Sequence, residues 1–338
     1  MVHWLELWCQ ETSWVYLSFF FLFSLMVLTV SADFLIDKSV SLSQQLGIPK
    51  LIIGATIVSL GTTFPEVVVS VLAALQGEPG LALGNAVGSI ICDTGLILGL
   101  AAVIGKIPLN PKIVNRQGWI QLASGFLLVV CLIPFSKPSE AFRTGGYLNQ
   151  WLGWVFIIFL GIYLYVSILW AKNGKETVQN VHQKSNTLLV VIKMIFLLCF
   201  IGISSEVLII LAKEMAHRLS VPPSIVAVTI VALGTSLPEL VTSVASVLKG
   251  HGEVALGNII GADILNVLLV AGASAAVTKG GLYADPQFFK SSLPIMLTML
   301  LIFRLGIMFS KKTLDRKFGF LLIFLYLLVS WLNISQVR

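Results

Sequence analysis

The chain has 338 residues, 57% of them hydrophobic and 11% charged, with a formal net charge of +6 and a mean hydropathy of +0.94. These values exclude a water-soluble globular domain of this size and define a polytopic membrane protein whose partner is the lipid bilayer. They do not indicate a nucleic-acid partner, because Lys and Arg are spread over short loops rather than gathered on one face.

Apolar runs of about 18 residues or more, enough to cross a hydrocarbon core of roughly 30 Å, recur along the chain. In order, the ten predicted spans are Trp14 to Asp33, Pro49 to Leu75, Leu81 to Ile104, Trp119 to Phe135, Trp151 to Trp170, Leu188 to Ala212, Pro222 to Leu248, Val254 to Val277, Phe288 to Phe309 and Phe318 to Trp331. Lipid offers no partner to an open strand edge, and these runs are too long and too uniformly apolar for barrel strands, so each is read as a helix and the fold as all-α. The first span reads as a retained helix: "VSA" precedes Asp33 like a cleavage site, but Glu6 and Glu11 stand where a signal peptide carries basic residues. Asp33 and Glu206 read as helix ends. Cys9, Cys92, Cys131 and Cys199 have no metal-ligand spacing and imply no disulfide framework.

Loops after the odd-numbered spans hold Lys38, Lys50, Lys106, Lys112, Arg116, Lys172, Lys175, Lys184, Lys249, Lys311, Lys312, Arg316 and Lys317. The positive-inside rule then puts both termini outside the cell membrane and the linker 172–187 in the cytoplasm.

Sliding the chain on itself by 173 residues aligns Ile48 to Gly99 with Val221 to Gly272 without a gap, and 23 of those 52 pairs are identical. Each copy holds five spans, giving a first repeat over 1–171 and a second over 188–338. An odd number of spans makes the second copy enter the bilayer from the opposite side. The expected architecture is therefore ten transmembrane helices in two inverted five-helix repeats, as in alternating-access transporters.

The second and seventh spans are interrupted at matching places, by "GTTFPE" (Gly61 to Glu66) and "GTSLPE" (Gly234 to Glu239). Pro65 has no N–H and its ring crowds the carbonyl of Gly61, so the helix is expected to bend or unwind over Gly61 to Phe64; Pro238 acts likewise. Counting residues puts the first break about 18 Å from one face and about 14 Å from the other. A hairpin through Glu78-Pro79-Gly80 returns Asp93 to the level of Glu66, and Asn266 is its counterpart beside Glu239. The returning helices carry Gly84-Asn85-Ala86-Val87-Gly88 and Gly257-Asn258-Ile259-Ile260-Gly261, whose paired glycines allow close packing.

An ionised carboxylate at mid-bilayer costs at least about 3 kcal/mol, so repeated Glu implies a cation or a proton. No intramembrane basic residue is an obvious mate. The groups available are the carboxylates of Glu66, Glu239 and Asp93, the hydroxyls of Thr62, Thr63, Ser89, Thr235 and Ser236, the amide of Asn266 and backbone carbonyls. This all-oxygen set suits Na⁺ or Ca²⁺ rather than Zn²⁺ or Cu⁺. Plainer readings are protonated, hydrogen-bonded glutamates, polar glue for Asp93 and Asn266, and back-bonding for the hydroxyls. Asp263 reads as second to the ligands or facing the pathway.

With "GTTFPE…GNAVGS…D" and "GTSLPE…GNIIGA…N", the sequence resembles the sodium/calcium exchanger family, within the cation/calcium antiporter superfamily. The resemblance implies a Ca²⁺ site at Glu66, Glu239, Thr62 and Thr235. It also implies Na⁺ sites that add Thr63, Ser236, Ser89 and the backbone of Ser59 and Ala232, with Asp93 and Asn266 as the central polar pair. Ala262 departs from the family's usual Ser, Ile90 from a frequent Asn, and the acid and amide of Asp93 and Asn266 are exchanged relative to some relatives. The expected function is Ca²⁺/Na⁺ antiport, with no catalysis and no cofactor. Ca²⁺/H⁺ exchange through the same glutamates is the alternative, and a cation channel the reading from a different class. A membrane hydrolase would need a base, and no His lies within a span.

Overall fold

The computed structural model describes residues 2–134, 138–173, 187–219, 234–310 and 312–336. A short helix α1 (Val2–Glu11) precedes α2 (Trp14–Leu46), α3 (Lys50–Thr62), α4 (Phe64–Leu75) and α5 (Pro79–Ile104). Then come α6 (Pro111–Leu132), α7 (Gln150–Asn173) and α8 (Thr187–Arg218). The described chain resumes with α9 (Leu237–Leu248), α10 (Gly252–Val277), α11 (Phe288–Phe309) and α12 (Arg316–Gln336). Two antiparallel strand pairs tie loop ends together: Ile107–Pro108 (β1) with Thr313–Leu314 (β4), and Gly146–Leu148 (β2) with Leu282–Ala284 (β3).

By length and apolarity six described helices can cross a membrane, or seven when α3 and α4 count as one bent span. The expected ten are therefore only partly present among the described residues. The first half of the predicted span Pro222 to Leu248 lies outside them, α6 is a helix of 22 residues not counted among the six, and the side chains of α12, a helix of 21 residues, are described only as far as Trp331. The duplicated register does carry into the elements. Phe64–Leu75 recurs as Leu237–Leu248, and Pro79–Cys92 as Gly252–Leu265. A π-helical turn opens at Asp93 in one copy and at Asn266 in the other.

The break in the second span falls where Pro65 requires it. The helix bends by 45° between Thr62 and Phe64, with Thr63 as the hinge at φ −77°, ψ −3°. Helix α10 then crosses α3 backbone to backbone. A Cβ on Gly257 would collide with the Leu51 carbonyl, and one on Gly261 would lie 2.6 Å from the Ala55 carbonyl oxygen. Among the described residues nothing lies within 4 Å of a Cβ on Gly84 or Gly88.

Helix boundaries differ from the hydropathic spans where polar groups finish the helix. Asn110 caps α6, its Oδ1 accepting from Lys112 N (3.1 Å), and Pro111 sits in the first turn. The helix therefore starts well before Trp119. Asp33 is not a helix end, since α2 continues to Leu46 and is closed by Gly47 at φ 63°. Instead Asp33 and Asp37 share the ammonium of Lys249 at 3.0 and 2.7 Å, joining α2 to the turn between α9 and α10. Burial opposes that charge, but the hydrogen bonds to Asp37 and Asp33 outweigh it and raise the Lys249 pKa above the ordinary lysine value.

Gly257→Leu, by overpacking the α3/α10 contact, is expected to lower the apparent melting temperature sharply or abolish monodisperse protein, an effect of about 1–3 kcal/mol or more. Gly161→Ala, with nothing within 4 Å of the added methyl, is expected to leave the melting curve in place; equal behaviour of the two would remove the packing account.

A group whose folded pKa is raised stabilises the fold below its unfolded value, about 10.4 for lysine, and loses that contribution as pH climbs through the folded value. Lys249→Ala is thus expected to lower the melting temperature at pH 8, with the gap to wild type closing as pH rises beyond the ordinary lysine value of about 10.4. A gap independent of pH would assign the loss to packing alone.

Candidate functional site

The bend in α3/α4, the start of α9, and the π-helical turns of α5 and α10 bring the signature residues into one buried region. Glu66, Asp93, Glu239, Asp263 and Asn266 each expose 1%. The four acids are near enough for their charges to act on one another: Glu66, Asp93 and Glu239 mutually, and Asp93 with Asp263 as well.

The two motifs are stitched across the duplication. Thr63 Oγ1 donates to Glu239 Oε1 (3.1 Å), and Ser236 Oγ lies 3.4 Å from Ser89 Oγ. Thr62 Oγ1 donates to Asn258 Oδ1 (3.2 Å), whose Nδ2 donates to Thr242 Oγ1 (3.1 Å). The mirrored chain runs from Thr235 Oγ1 to Asn85 Oδ1 (3.2 Å) and from Asn85 Nδ2 to Ser70 Oγ (2.9 Å). Each motif's first Thr is thus held by the Asn of the other copy's returning helix. Ser59 is buried at the α3/α10 contact, its hydroxyl donating to Thr56 O at 3.3 Å. Ala232 lies outside the described residues.

Burial without donors distinguishes this region. Among the described residues, Glu66 Oε2, both carboxylate oxygens of Asp93, Glu239 Oε2, Asp263 Oδ1 and Asn266 Oδ1 meet no donor in hydrogen-bond geometry. An unsatisfied buried acceptor costs about 1–3 kcal/mol, and more when charged. Among the described residues, no group of three His, Cys, Asp or Glu side chains forms a ready-made metal cluster. A cation held here takes its oxygens from a mixed set of carboxylate, amide, hydroxyl and carbonyl groups, as hard cations do.

The sequence does not single out Asn85, Asn258, Thr94, Gln121 or Tyr163 for a role at the site. Asn85 and Asn258 were quoted within the glycine motifs but read only as context; their signal was an amide kept at the same register in both copies of an otherwise apolar helix. Asp263, read from the sequence as second to the ligands or facing the pathway, is buried in the same region. Its Oδ2 accepts from Thr94 Oγ1 (2.6 Å) and Gln121 Nε2 (2.5 Å), while Oδ1 stays open. Gln121 enters from α6, outside the duplicated segment, and nothing in its local sequence marks it. Tyr163 adds a second polar layer, donating to Gln117 Oε1 at 3.0 Å.

Gln121→Leu and Thr94→Val each remove one donor from buried Asp263. Each is expected to lower stability by about 1–3 kcal/mol, and Asp263→Leu, which removes the acceptor, is expected to make Gln121→Leu nearly silent in a thermal double-mutant cycle. Additive losses in that cycle would mean the three side chains act separately.

The family model for "Sodium/calcium exchanger protein" matches residues 16–169 and 189–335. The membrane protein MJ0091 of Methanocaldococcus jannaschii is 30% identical over 312 residues, covering 91% of this chain and 95% of that protein. The sodium/calcium exchanger MaX1 of Methanosarcina acetivorans is 26% identical over 315 residues, covering 83% and 89%. A solved structure of the sodium-calcium exchanger NCX_Mj, soaked without Na⁺ and Ca²⁺, superposes with a TM-score of 0.79 at 25% identity, covering 96% of this chain and all of that one.

Proposed function

The chain belongs to the sodium/calcium exchanger protein family, and from that premise we propose that it is a secondary antiporter exchanging Ca²⁺ for Na⁺ at one mid-membrane site. The observation that carries this reading is the set of buried carboxylate and amide oxygens without a donor, on Glu66, Asp93, Glu239, Asp263 and Asn266. A structural carboxylate in an apolar bundle is ordinarily satisfied by donors; among the described residues these oxygens are not. A divalent cation supplies the missing electrostatic partner, and several monovalent cations replace it at similar net charge.

In this reading Glu66, Glu239, Thr62 and Thr235 hold Ca²⁺. Thr63, Ser236, Ser89 and the backbone of Ser59 and Ala232 complete the Na⁺ positions, with Asp93 and Asn266 between them. Asn85 and Asn258 position the two threonines. Ala262 contributes no hydroxyl opposite Ser89, which reduces the oxygens available to one Na⁺. Asp263 supplies a carboxylate nearby, where the first copy has Ile90.

The architecture that goes with this mechanism is ten membrane helices in two inverted repeats, 1–171 and 188–338, joined by a cytoplasmic linker over 172–187, with both termini outside the cell membrane. The recurrence of helix bounds and of the π-helical turns in one register supports the duplication. Inversion supplies two near-equivalent states, outward-facing and inward-facing, as alternating access requires. Exchange of ions involves no covalent chemistry, so the protein is not an enzyme and needs no cofactor.

The test is ⁴⁵Ca²⁺ uptake into proteoliposomes with equal, buffered pH on both sides. Uptake is expected to require internal Na⁺, and Glu66→Gln or Glu239→Gln is expected to reduce it on the order of tenfold or more, since ligand charge sets Ca²⁺ affinity. Uptake driven by a pH gradient but not by Na⁺ would select Ca²⁺/H⁺ exchange, and uptake with no counter-gradient a channel. Full activity in both glutamine variants would remove the site.

A further inference from the structure

Arg304 lies near the C-terminal end of α11 and is only 3% exposed. Its guanidinium stays charged and carries five N–H donors. Nη2 donates to Asn115 Oδ1 at 2.8 Å, and the guanidinium carbon lies 4.6 Å from the centroid of the Trp119 ring. Among the described residues Nε and Nη1 meet no acceptor, and the ion pairs there join other groups. Gly118 leaves the room this side chain occupies: a Cβ there would come within 3.2 Å of Nη1. A buried cation with idle donors is a site lacking its anion.

The same guanidinium lines a groove of about 380 Å³ with Leu109, Asn115, Trp119, Ile307 and Met308. Trp119 and Met308 are more than half exposed, so the groove opens on the outer surface of the bundle. Its end is basic. Leu109 N donates to Lys312 O (2.8 Å) through the β1/β4 pairing, which seats exposed Lys312 beside the rim. Exposed Lys112 follows the rim residue Pro111. An aromatic ring beside cationic groups at a helix end is the arrangement found at membrane–water interfaces.

We infer that this groove binds the phosphate of an anionic phospholipid from the leaflet facing the basic loops, with Arg304 and Asn115 meeting the headgroup and an acyl chain lying against Trp119 and Met308. Charge complementarity calls for an anion with several acceptor oxygens. The apolar half of the lining favours a lipid over a free ion. Arg304 and Gly118 take no part in the proposed ion exchange, so failure of one reading leaves the other standing.

The experiment compares full-length protein in phosphatidylcholine nanodiscs, the same discs with added phosphatidylglycerol, and phosphatidylcholine discs with inorganic phosphate. It reads thermal unfolding and, by native mass spectrometry, the lipid retained. Phosphatidylglycerol is expected to raise the melting temperature of wild type, and millimolar phosphate to leave it unchanged. Arg304→Met is expected to lose the phosphatidylglycerol-dependent rise and to retain about tenfold less of that lipid, the worth of one charge-assisted contact. General destabilisation cancels, because each variant is compared with itself in phosphatidylcholine. Gly118→Val keeps the charge while displacing Nη1, and carries the same expectation should Arg304→Met not fold. No phosphatidylglycerol response in wild type, or an undiminished one in either folded variant, overturns the inference; an equal response to inorganic phosphate overturns the lipid as occupant.

Discussion

A carboxylate sealed inside an apolar bundle has to be answered by hydrogen-bond donors, by a proton or by a metal ion, and the architecture of this protein turns on four such groups sharing one buried region. Glu66, Asp93, Glu239 and Asp263 are almost fully enclosed, yet most of their oxygens face no donor. Nearby donors answer only part of this demand: Thr63 bonds Glu239, while Thr62 and Thr235 bond the two asparagines and Asn258 bonds Thr242. On the function proposed above, those unanswered oxygens are what a mobile charge would occupy.

That demand explains where regular helix is given up. The 45° bend at Thr63 lets Glu66 point into the bundle from the first turn of α4, and the π-helical turns at Asp93 and Asn266 disturb α5 and α10 at the same depth. Directly beside this region the bundle packs tightly, with the glycines of α10 pressed on the backbone of α3. A fixed contact adjoining a disturbed one is consistent with a site whose walls hold shape while its contents change. The Lys249 pair with Asp33 and Asp37 then ties the long helix α2 to the turn that follows α9.

Legibility in the sequence divides along the range of the interaction. The broken span could be placed because Pro65 acts on its own i−4 carbonyl, a purely local effect. The length of α2 could not, because hydropathy stops counting at Asp33 and Asp37, whereas the helix continues with those charges answered by Lys249, more than 200 residues away in the chain. The start of α6 was missed for the opposite reason: a local signal was present in Asn110-Pro111, but polar residues after it hid the helix from an apolar count.

What the sequence by itself determined is the solvent, the duplication, the two interrupted motifs and the chemistry of the oxygens they offer, because composition, register and proline sterics need no partner from elsewhere. Only the tertiary structure decided which oxygens find donors. Asn85 and Asn258 join the site by crossing from one copy to the other, Gln121 and Thr94 draw Asp263 into it, and Arg304 is left with idle N–H groups. Those outcomes depend on which helix faces come within about 3 Å of each other, a distance that packing sets and residue order along one helix does not.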